Sequence, residues 1–206
     1  MQLTTKALLL SLACAATAPA FAYDAGNVIV RAGLADVMPD VKTDPALKGI
    51  DVDNNVQLGV TATYMVNPKF GVELLAATPF KHDITANGTK IGSTQQLPPT
   101  LSAQFYPIDN ATIQPYVGIG INYTLFFNEK LNATGKAATG ANSIKLSDSV
   151  GAAIEAGVDI KINDKLIVNA SVWKADINTD VSLDGTKTGK IQIDPLVAMV
   201  GVGYRF

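Results

Sequence analysis

The final segment of the chain, residues 196–206, alternates strictly between two faces. Such alternation is typical of a β-strand, because successive side chains point to opposite sides of a sheet. One face is small and carries a single charge at Arg205, whereas the other is apolar and ends in aromatic rings. A strand that reaches the end of the chain needs partners on both edges for its backbone groups, so we expect a closed sheet. An apolar face with aromatic tips is typical of a membrane barrel. That face consists of Leu196, Ala198, Val200, Val202, Tyr204 and Phe206.

The beginning of the chain has the pattern of a secretory signal peptide. Lys6 precedes an apolar run at Ala7–Ala13. Ala20-Phe21-Ala22 matches the A-x-A motif of a signal-peptidase cleavage site. We therefore interpret residues 1–22 as a signal peptide and residues 23–206 as one folded domain. Cys14 is the only cysteine, so the processed chain would have no disulfide and no cysteine-ligated metal. Acylation of Cys14 is the alternative, although Ser11 stands where a lipoprotein signal has leucine.

Composition argues against a nucleic-acid partner and against a transmembrane helix. The net charge of −2 makes nucleic acid a poor candidate partner. After residue 22, no window approaches the ~18 apolar residues of a membrane helix. If the domain enters a membrane, it must do so with strands.

The period of two recurs along the chain and predicts an all-β fold of eight antiparallel strands. Their connections alternate between four long loops and three short turns, so both ends of the domain lie on the side of the turns. In an outer membrane, the loops would be extracellular and the turns periplasmic. The predicted strands are residues 27–37, 54–66, 70–77, 100–106, 113–127, 147–162, 166–177 and 196–206, and the predicted long loops are residues 38–53, 81–96, 128–146 and 178–189.

The chemistry of the two faces predicts which one meets lipid. The apolar faces are continuous, whereas the opposite faces carry glycine, hydroxyl, amide or charged residues. This favours a transmembrane barrel with a polar lumen over a soluble lipocalin-like barrel, whose apolar face would point inward. The aromatic residues that flank the apolar surface are Tyr64, Phe70, Phe105, Tyr123, Phe127, Tyr204 and Phe206.

Several motifs resemble those of the outer membrane protein W (OmpW) family. They include Asn54–Met65, Gly71–Phe80, Leu97–Leu101, Gln114–Gly118 with Gly120–Thr124, Ser171–Trp173 with Asp176-Ile177, and Gly203–Phe206.

This resemblance implies a barrel in the outer membrane of Gram-negative cells. No cofactor is expected. It implies that Phe206, with Tyr204, is an assembly signal read by the barrel-assembly machinery. It also implies a narrow passage for small hydrophobic molecules, constricted at Leu75 and Trp173, and colicin reception in some members. Lys174 departs from the family, in which many members have an aromatic residue there.

The residues themselves suggest how such a passage would be lined. Inward glycines leave space in a barrel that eight strands make barely wide enough for its own side chains. Met65, Phe126 and Met199 are further apolar inward residues, and with Leu75 and Trp173 they form either a constriction that passes apolar solutes or a plug. The inward charges are predicted to form a paired structural network, and they are Arg31, Glu73, Glu155, Asp159, Lys161 and Arg205.

Prolines interrupt the strands on either side of the second loop. Thr78-Pro79 follows the third strand and Pro98-Pro99 precedes the fourth, and proline cannot donate a ladder hydrogen bond. We expect a side opening here, through which a hydrophobic molecule would leave the lumen into the membrane.

Other functions have weaker support in the sequence. His82 and Asp83 would point to opposite faces of a strand, so they do not form a catalytic dyad, and a lipid-modifying enzyme or a protease is a minor alternative. The acidic segment 51–55 lacks the glycine and the glutamate of a calcium loop, although divalent ions could link it to lipopolysaccharide. The remaining alternatives are a receptor barrel that contacts phage, colicin or lipopolysaccharide through its loops, and a channel for small polar solutes such as amino acids.

Overall fold

The computed structural model describes residues 23–108 and 112–206, so the expected signal peptide lies outside the described residues. The described chain is almost entirely β-structure, with one short helix, α1 (Ala133–Thr139), and a 3₁₀ turn at Pro45–Leu47. No helix in this part of the chain is long and apolar enough to cross a membrane. The strands are β1 (Val28–Met38), β2 (Lys42–Thr43), β3 (Ile50–Val52), β4 (Asn55–Asn67), β5 (Phe70–Ala77), β6 (Phe80–Ala86), β7 (Thr89–Leu97), β8 (Thr100–Phe105), β9 (Ile113–Leu131), β10 (Ile144–Leu146), β11 (Ser149–Lys161), β12 (Leu166–Ala175), β13 (Asn178–Leu183), β14 (Thr186–Gln192) and β15 (Leu196–Arg205).

Eight of these strands form a closed antiparallel barrel, which confirms the predicted fold class. Their order around the barrel is β1-β4-β5-β8-β9-β11-β12-β15, and β15 pairs back with β1. The final strand therefore has a partner on each edge, with Val202 opposite Ala32 on one side and Val168 on the other. The ladder continues to the last residue, because the Phe206 amide donates to the Val28 carbonyl at 2.8 Å.

The outer surface of the barrel is apolar and its inner surface is mostly polar. Ile119 and Val150 are each 70% exposed, whereas inward neighbours such as Asn122 are buried. Aromatic rings border the outer surface near the short turns, where Phe70 packs against Phe105 with ring centroids 5.1 Å apart. This is the arrangement of a barrel whose outer wall meets acyl chains and whose aromatic belt meets the membrane interface.

Asparagine side chains fix two of the short turns. The Asn67 Oδ1 atom accepts hydrogen bonds from the amides of Lys69 and Phe70, at 2.9 and 3.0 Å. The Asn163 Oδ1 atom does the same for the amides of the residues two and three positions further on, at 2.9 and 2.8 Å. These turns set the register of the strand pairs that they join.

The predicted long loops are largely ordered β-structure, which corrects the sequence-based interpretation of these segments. Strands β6 and β7 form a hairpin whose turn is Asn87-Gly88, with φ of +48° and +78°. Strands β13 and β14 form a second hairpin whose turn is Asp184-Gly185, also with positive φ. Both turns have the residues that a tight two-residue hairpin requires, so the strands continue past the membrane.

These hairpins build an extracellular extension from two separate sheets. Strands β7, β6 and β3 continue from the upper part of β9, whereas β10, β13, β14 and β2 form a sheet of their own. The two sheets enclose an apolar core that includes Ile84, Ile91, Ile177 and Ile193.

Candidate functional site

The lumen is layered from the extracellular extension to the periplasmic end. The upper layer is the apolar core between the two extracellular sheets, and it contains a cavity of about 60 Å³. The walls of this cavity include Ile84, Phe126, Leu131 and Ile191, with polar contributions from His82 and other residues. An apolar cavity of this kind accepts hydrocarbon and holds water poorly.

The middle layer is a second apolar cluster within the membrane-spanning barrel. It includes Leu75, Trp173 and Met199, which approach from β5, β12 and β15, together with Phe80. A smaller cavity of about 20 Å³ lies against Leu75 and Trp173, and Gln96 lines both this cavity and the one above. The two apolar spaces are therefore neighbours along the lumen.

The five residues predicted to form the constriction do not lie together. Leu75, Trp173 and Met199 share the middle cluster, whereas Phe126 belongs to the extracellular core. Met65 belongs to a third cluster at the periplasmic end. It lies there because it pairs with Gly71 at the base of the β4–β5 hairpin.

Trp173 has a buried polar partner. Its indole Nε1–H donates to Glu155 Oε2 at 2.5 Å, and the two residues are directly opposed on β12 and β11. Trp173 is 2% exposed and Glu155 is 5% exposed, so neither group exchanges this hydrogen bond readily for one to bulk water.

Arg31 is the centre of the polar layer below the middle cluster. Its Nε and Nη2 atoms donate to the two oxygens of Asp159 at 2.8 and 2.5 Å, and its Nη1 atom donates to Glu73 at 3.0 Å. Thr63 accepts a further hydrogen bond from Nη1, and the guanidinium lies 5.2 Å from the Tyr116 ring centroid. All three charged residues are buried, so this layer closes the lower lumen with paired charges.

Tyr23 seals the periplasmic end beneath this network. Its hydroxyl donates to Asp159 at 2.7 Å, and its ring packs edge-on against Tyr106 with centroids 5.4 Å apart. The Lys161 ammonium lies 5.2 Å from the Tyr23 ring centroid, and Arg205 is half-buried on β15 near the same rim. Of the six predicted lumen charges, four are buried, namely Arg31, Glu73, Glu155 and Asp159. The other two, Lys161 and Arg205, are half-buried at the periplasmic edge.

The residues predicted to line a side opening lie at a gap in the strand ladder. The β5–β8 ladder ends where Leu75 pairs with Thr100, and the β6–β7 ladder begins where Phe80 pairs with Gln96. Residues 76–79 and 97–99 lie between these two ladders and form no register pairs with each other.

Both sides of this gap are bound to strands on their outer flanks. The Thr78 amide donates to Leu58 of β4 at 3.0 Å. The Pro98 carbonyl accepts from Asn122 Nδ2 at 3.2 Å, and the Pro99 carbonyl accepts from the Tyr123 amide at 3.0 Å, both on β9. Leu75 and Pro98 both line the middle cavity, so the gap adjoins it.

His82 lies in the extracellular extension, where its neighbours fix its tautomer. Its Nδ1 atom is 2.6 Å from the Asp53 carbonyl and its Nε2 atom is 3.0 Å from Gln96 Nε2. A carbonyl requires a donor and an amide nitrogen requires an acceptor, so Nδ1 carries the proton. Burial lowers the pKa of His82, which keeps the ring neutral, and Asp83 is occupied by an ion pair with Lys90.

The contacts of Trp173 and of Tyr23 in the lumen were among those not anticipated from the sequence. Glu155 and Trp173 lie at nearly equal distances from the Asn163–Lys165 turn, so the register of that hairpin could have revealed the pair. The contact of Tyr23 with Asp159 joins residues 136 positions apart, and no local pattern signals it.

Comparisons with known proteins agree with this architecture. Residues 24–206 match the sequence profile described as the OmpW family. Outer membrane protein W of Vibrio cholerae serotype O1 is 42% identical over 95% of both chains. Outer membrane protein W of Escherichia coli strain K12 is 47% identical, over 91% of this chain and 92% of that protein. The crystal structure of the outer membrane protein OprG from Pseudomonas aeruginosa superposes with a TM-score of 0.77 at 42% identity, over 89% of this chain and 97% of that chain.

The profile and the relatives match the chain over nearly its whole length, and the eight-stranded barrel has the outward apolar surface that an outer membrane requires. The chain therefore belongs to the OmpW family and is an outer-membrane β-barrel protein of Gram-negative cells.

Proposed function

We propose that the protein is a channel for the passive uptake of small hydrophobic molecules. The observation that carries this proposal is the stack of two neighbouring apolar cavities above a lower lumen filled by paired charges. Transfer from water to such cavities lowers the free energy of an apolar solute. It would raise the free energy of an ion, because the ion would lose its hydration there. The buried network around Arg31 opposes continuation of the same solute toward the periplasm.

A side exit completes the proposed route. The gap between residues 76–79 and 97–99 adjoins the middle cavity, and its two sides are hydrogen-bonded to β4 and β9. Separating them would break no ladder pair between β5 and β8 beyond Leu75. A hydrophobic molecule that leaves here would enter the membrane without crossing water.

The partners of this channel follow from the same proposal. Residues 1–22 would be removed on export, and Tyr204 and Phe206 would present the assembly signal to the barrel-assembly machinery. Outer-membrane lipid would cover the apolar wall, and lipopolysaccharide would surround the extracellular extension.

An uptake assay in reconstituted vesicles tests the route through the constriction. Replacing Leu75 with glutamine would put an amide into the apolar passage, and we expect uptake of an apolar fluorescent tracer to fall about tenfold. Leu74→Gln is the matched control, because Leu74 is the adjacent residue but faces lipid and is 50% exposed. Equal uptake by Leu75→Gln and Leu74→Gln, each normalised to the assembled protein, would refute passage past Leu75.

The side exit has its own variant in the same assay. Replacing Pro79, Pro98 and Pro99 with alanine supplies amides that can pair across the gap, and we expect slower uptake. Pro68→Ala, in the β4–β5 turn, is the control. Unchanged uptake by the triple variant would argue against the gap as the exit.

A further inference from the structure

Trp173 is the bulkiest side chain of the middle cluster, and a buried polar contact fixes its orientation. The ring lies among Ala35, Leu75 and Val197, which offer only non-directional contacts. Within the part of the chain that the structure describes, the indole Nε1–H hydrogen-bonds to Glu155 Oε2. A buried hydrogen bond is directional and costly to break, so it restricts rotation of the indole.

The backbone of β9 leaves room for the Glu155 carboxylate. Gly118 lies directly opposite Glu155 in the β9–β11 ladder. A Cβ atom at Gly118 would approach Glu155 Cγ and Cδ to 2.7 and 2.8 Å, closer than unbonded carbon atoms allow. The absence of a side chain at residue 118 therefore permits the carboxylate to lie flat against the wall and point toward Trp173.

From these contacts we infer that Glu155 is a latch that holds Trp173 across the passage. The inference rests on the proposed channel function and identifies the residue that controls its constriction. To let a solute pass, the indole must turn aside and leave the Glu155 carboxylate without its donor. The cost of breaking this buried hydrogen bond would then set the rate at which the constriction opens.

The latch can be observed through the fluorescence of the protein, because Trp173 is the only tryptophan in the chain. In Glu155→Leu the indole loses its acceptor, and we expect its collisional quenching by acrylamide to rise at least about twofold. Glu155→Gln keeps an oxygen acceptor and should restore most of the protection. The uptake rate of the apolar tracer should rise about tenfold in Glu155→Leu, as expected when the buried hydrogen bond that holds the indole is lost.

A second variant displaces the carboxylate without removing it. In Gly118→Ala the new methyl group would push aside the flexible end of Glu155, and quenching and uptake should change in the same direction as in Glu155→Leu. Gly71→Ala is the matched control, because its methyl group would meet the side chains of Thr63 and Met65 instead. It should leave the quenching of Trp173 unchanged.

The two readouts separate the latch from the channel. Quenching could rise in Glu155→Leu and Gly118→Ala while vesicles with the unaltered protein or with either variant take up no tracer. In that case the latch stands and the proposed function fails. If Glu155→Leu and Gly118→Ala assemble as barrels and quench like the unaltered protein, the latch is refuted, whatever the uptake.

Discussion

At the scale of single residues, Arg31 shows what sequence patterns can and cannot predict. Its position on the inward face followed from the period of two, and so did those of Glu73 and Asp159. Their contacts did not follow, because they join Arg31 to residues 42 and 128 positions further along the chain. Whether such residues lie at the same height along the barrel axis depends on the stagger of all the strands. Inward charges were therefore predictable as a set, but not as a network centred on one guanidinium.

Removal of this guanidinium should be costly. In Arg31→Met, the Asp159 and Glu73 carboxylates would remain buried without their cation, and we expect a loss of roughly 3–5 kcal/mol in the free energy of unfolding. Urea titration of the protein in lipid vesicles measures this change. Lys187→Met is the control, because its ion pair with Asp180 is exposed and its loss should cost less than about 1 kcal/mol. A similar small cost for Arg31→Met would show that the network contributes little to stability.

At the scale of strands and hairpins, the membrane-spanning elements were predictable and the extracellular ones were not. A lipid-facing strand has a continuous apolar face, as in Val56, Leu58 and Val60 of β4. The hairpin of β6 and β7 has outward residues such as Lys81 and Asp83, because its outer face meets water. The sequence of this segment was therefore interpreted as a polar loop. Its alternation and its Asn87-Gly88 turn are nevertheless typical of a hairpin.

The two extracellular sheets are joined at one seam by side chains. Glu129 of β9 accepts a hydrogen bond from the Leu146 amide at 3.2 Å, and Asp148 accepts one from the Phe126 amide at 3.2 Å. These carboxylates replace the backbone ladder that ends where Thr124 pairs with Ser149. The extension should therefore open locally while the barrel below stays closed.

Hydrogen exchange measured by mass spectrometry tests this seam. Glu129→Ala removes the acceptor of the Leu146 amide, and we expect the exchange of residues 144–146 to accelerate at least about tenfold, while β12 and β15 remain protected. Asp83→Ala removes a carboxylate whose ion pair lies within the β6–β7 hairpin, so it serves as the control. Acceleration spread over the whole barrel would show that the extension and the barrel unfold as one unit.

At the scale of the whole molecule, the chain reconciles opposite demands on its two surfaces. The outer wall is apolar because acyl chains offer no hydrogen bonds, and the closed sheet pairs its strand edges internally except at the gap between residues 76–79 and 97–99. The inner wall changes along the axis from apolar cavities to paired charges. Because alternate residues of every strand face the two walls, the sequence alone was sufficient to assign which face meets lipid. The layering of the lumen needed the three-dimensional stagger of the strands.

Sidedness also predicts where a charge is tolerated. Val200 lies near the middle of β15 and is 65% exposed on the lipid-facing wall. In Val200→Arg, a cation would lie in the hydrocarbon core, and we expect a loss of roughly 2–4 kcal/mol in the free energy of unfolding from lipid vesicles. Thr188→Arg places the same side chain on the exposed extracellular strand β14, where it should have almost no effect. Titration of both variants with urea measures the difference, and equal stabilities would mean that the outer wall at Val200 does not face acyl chains.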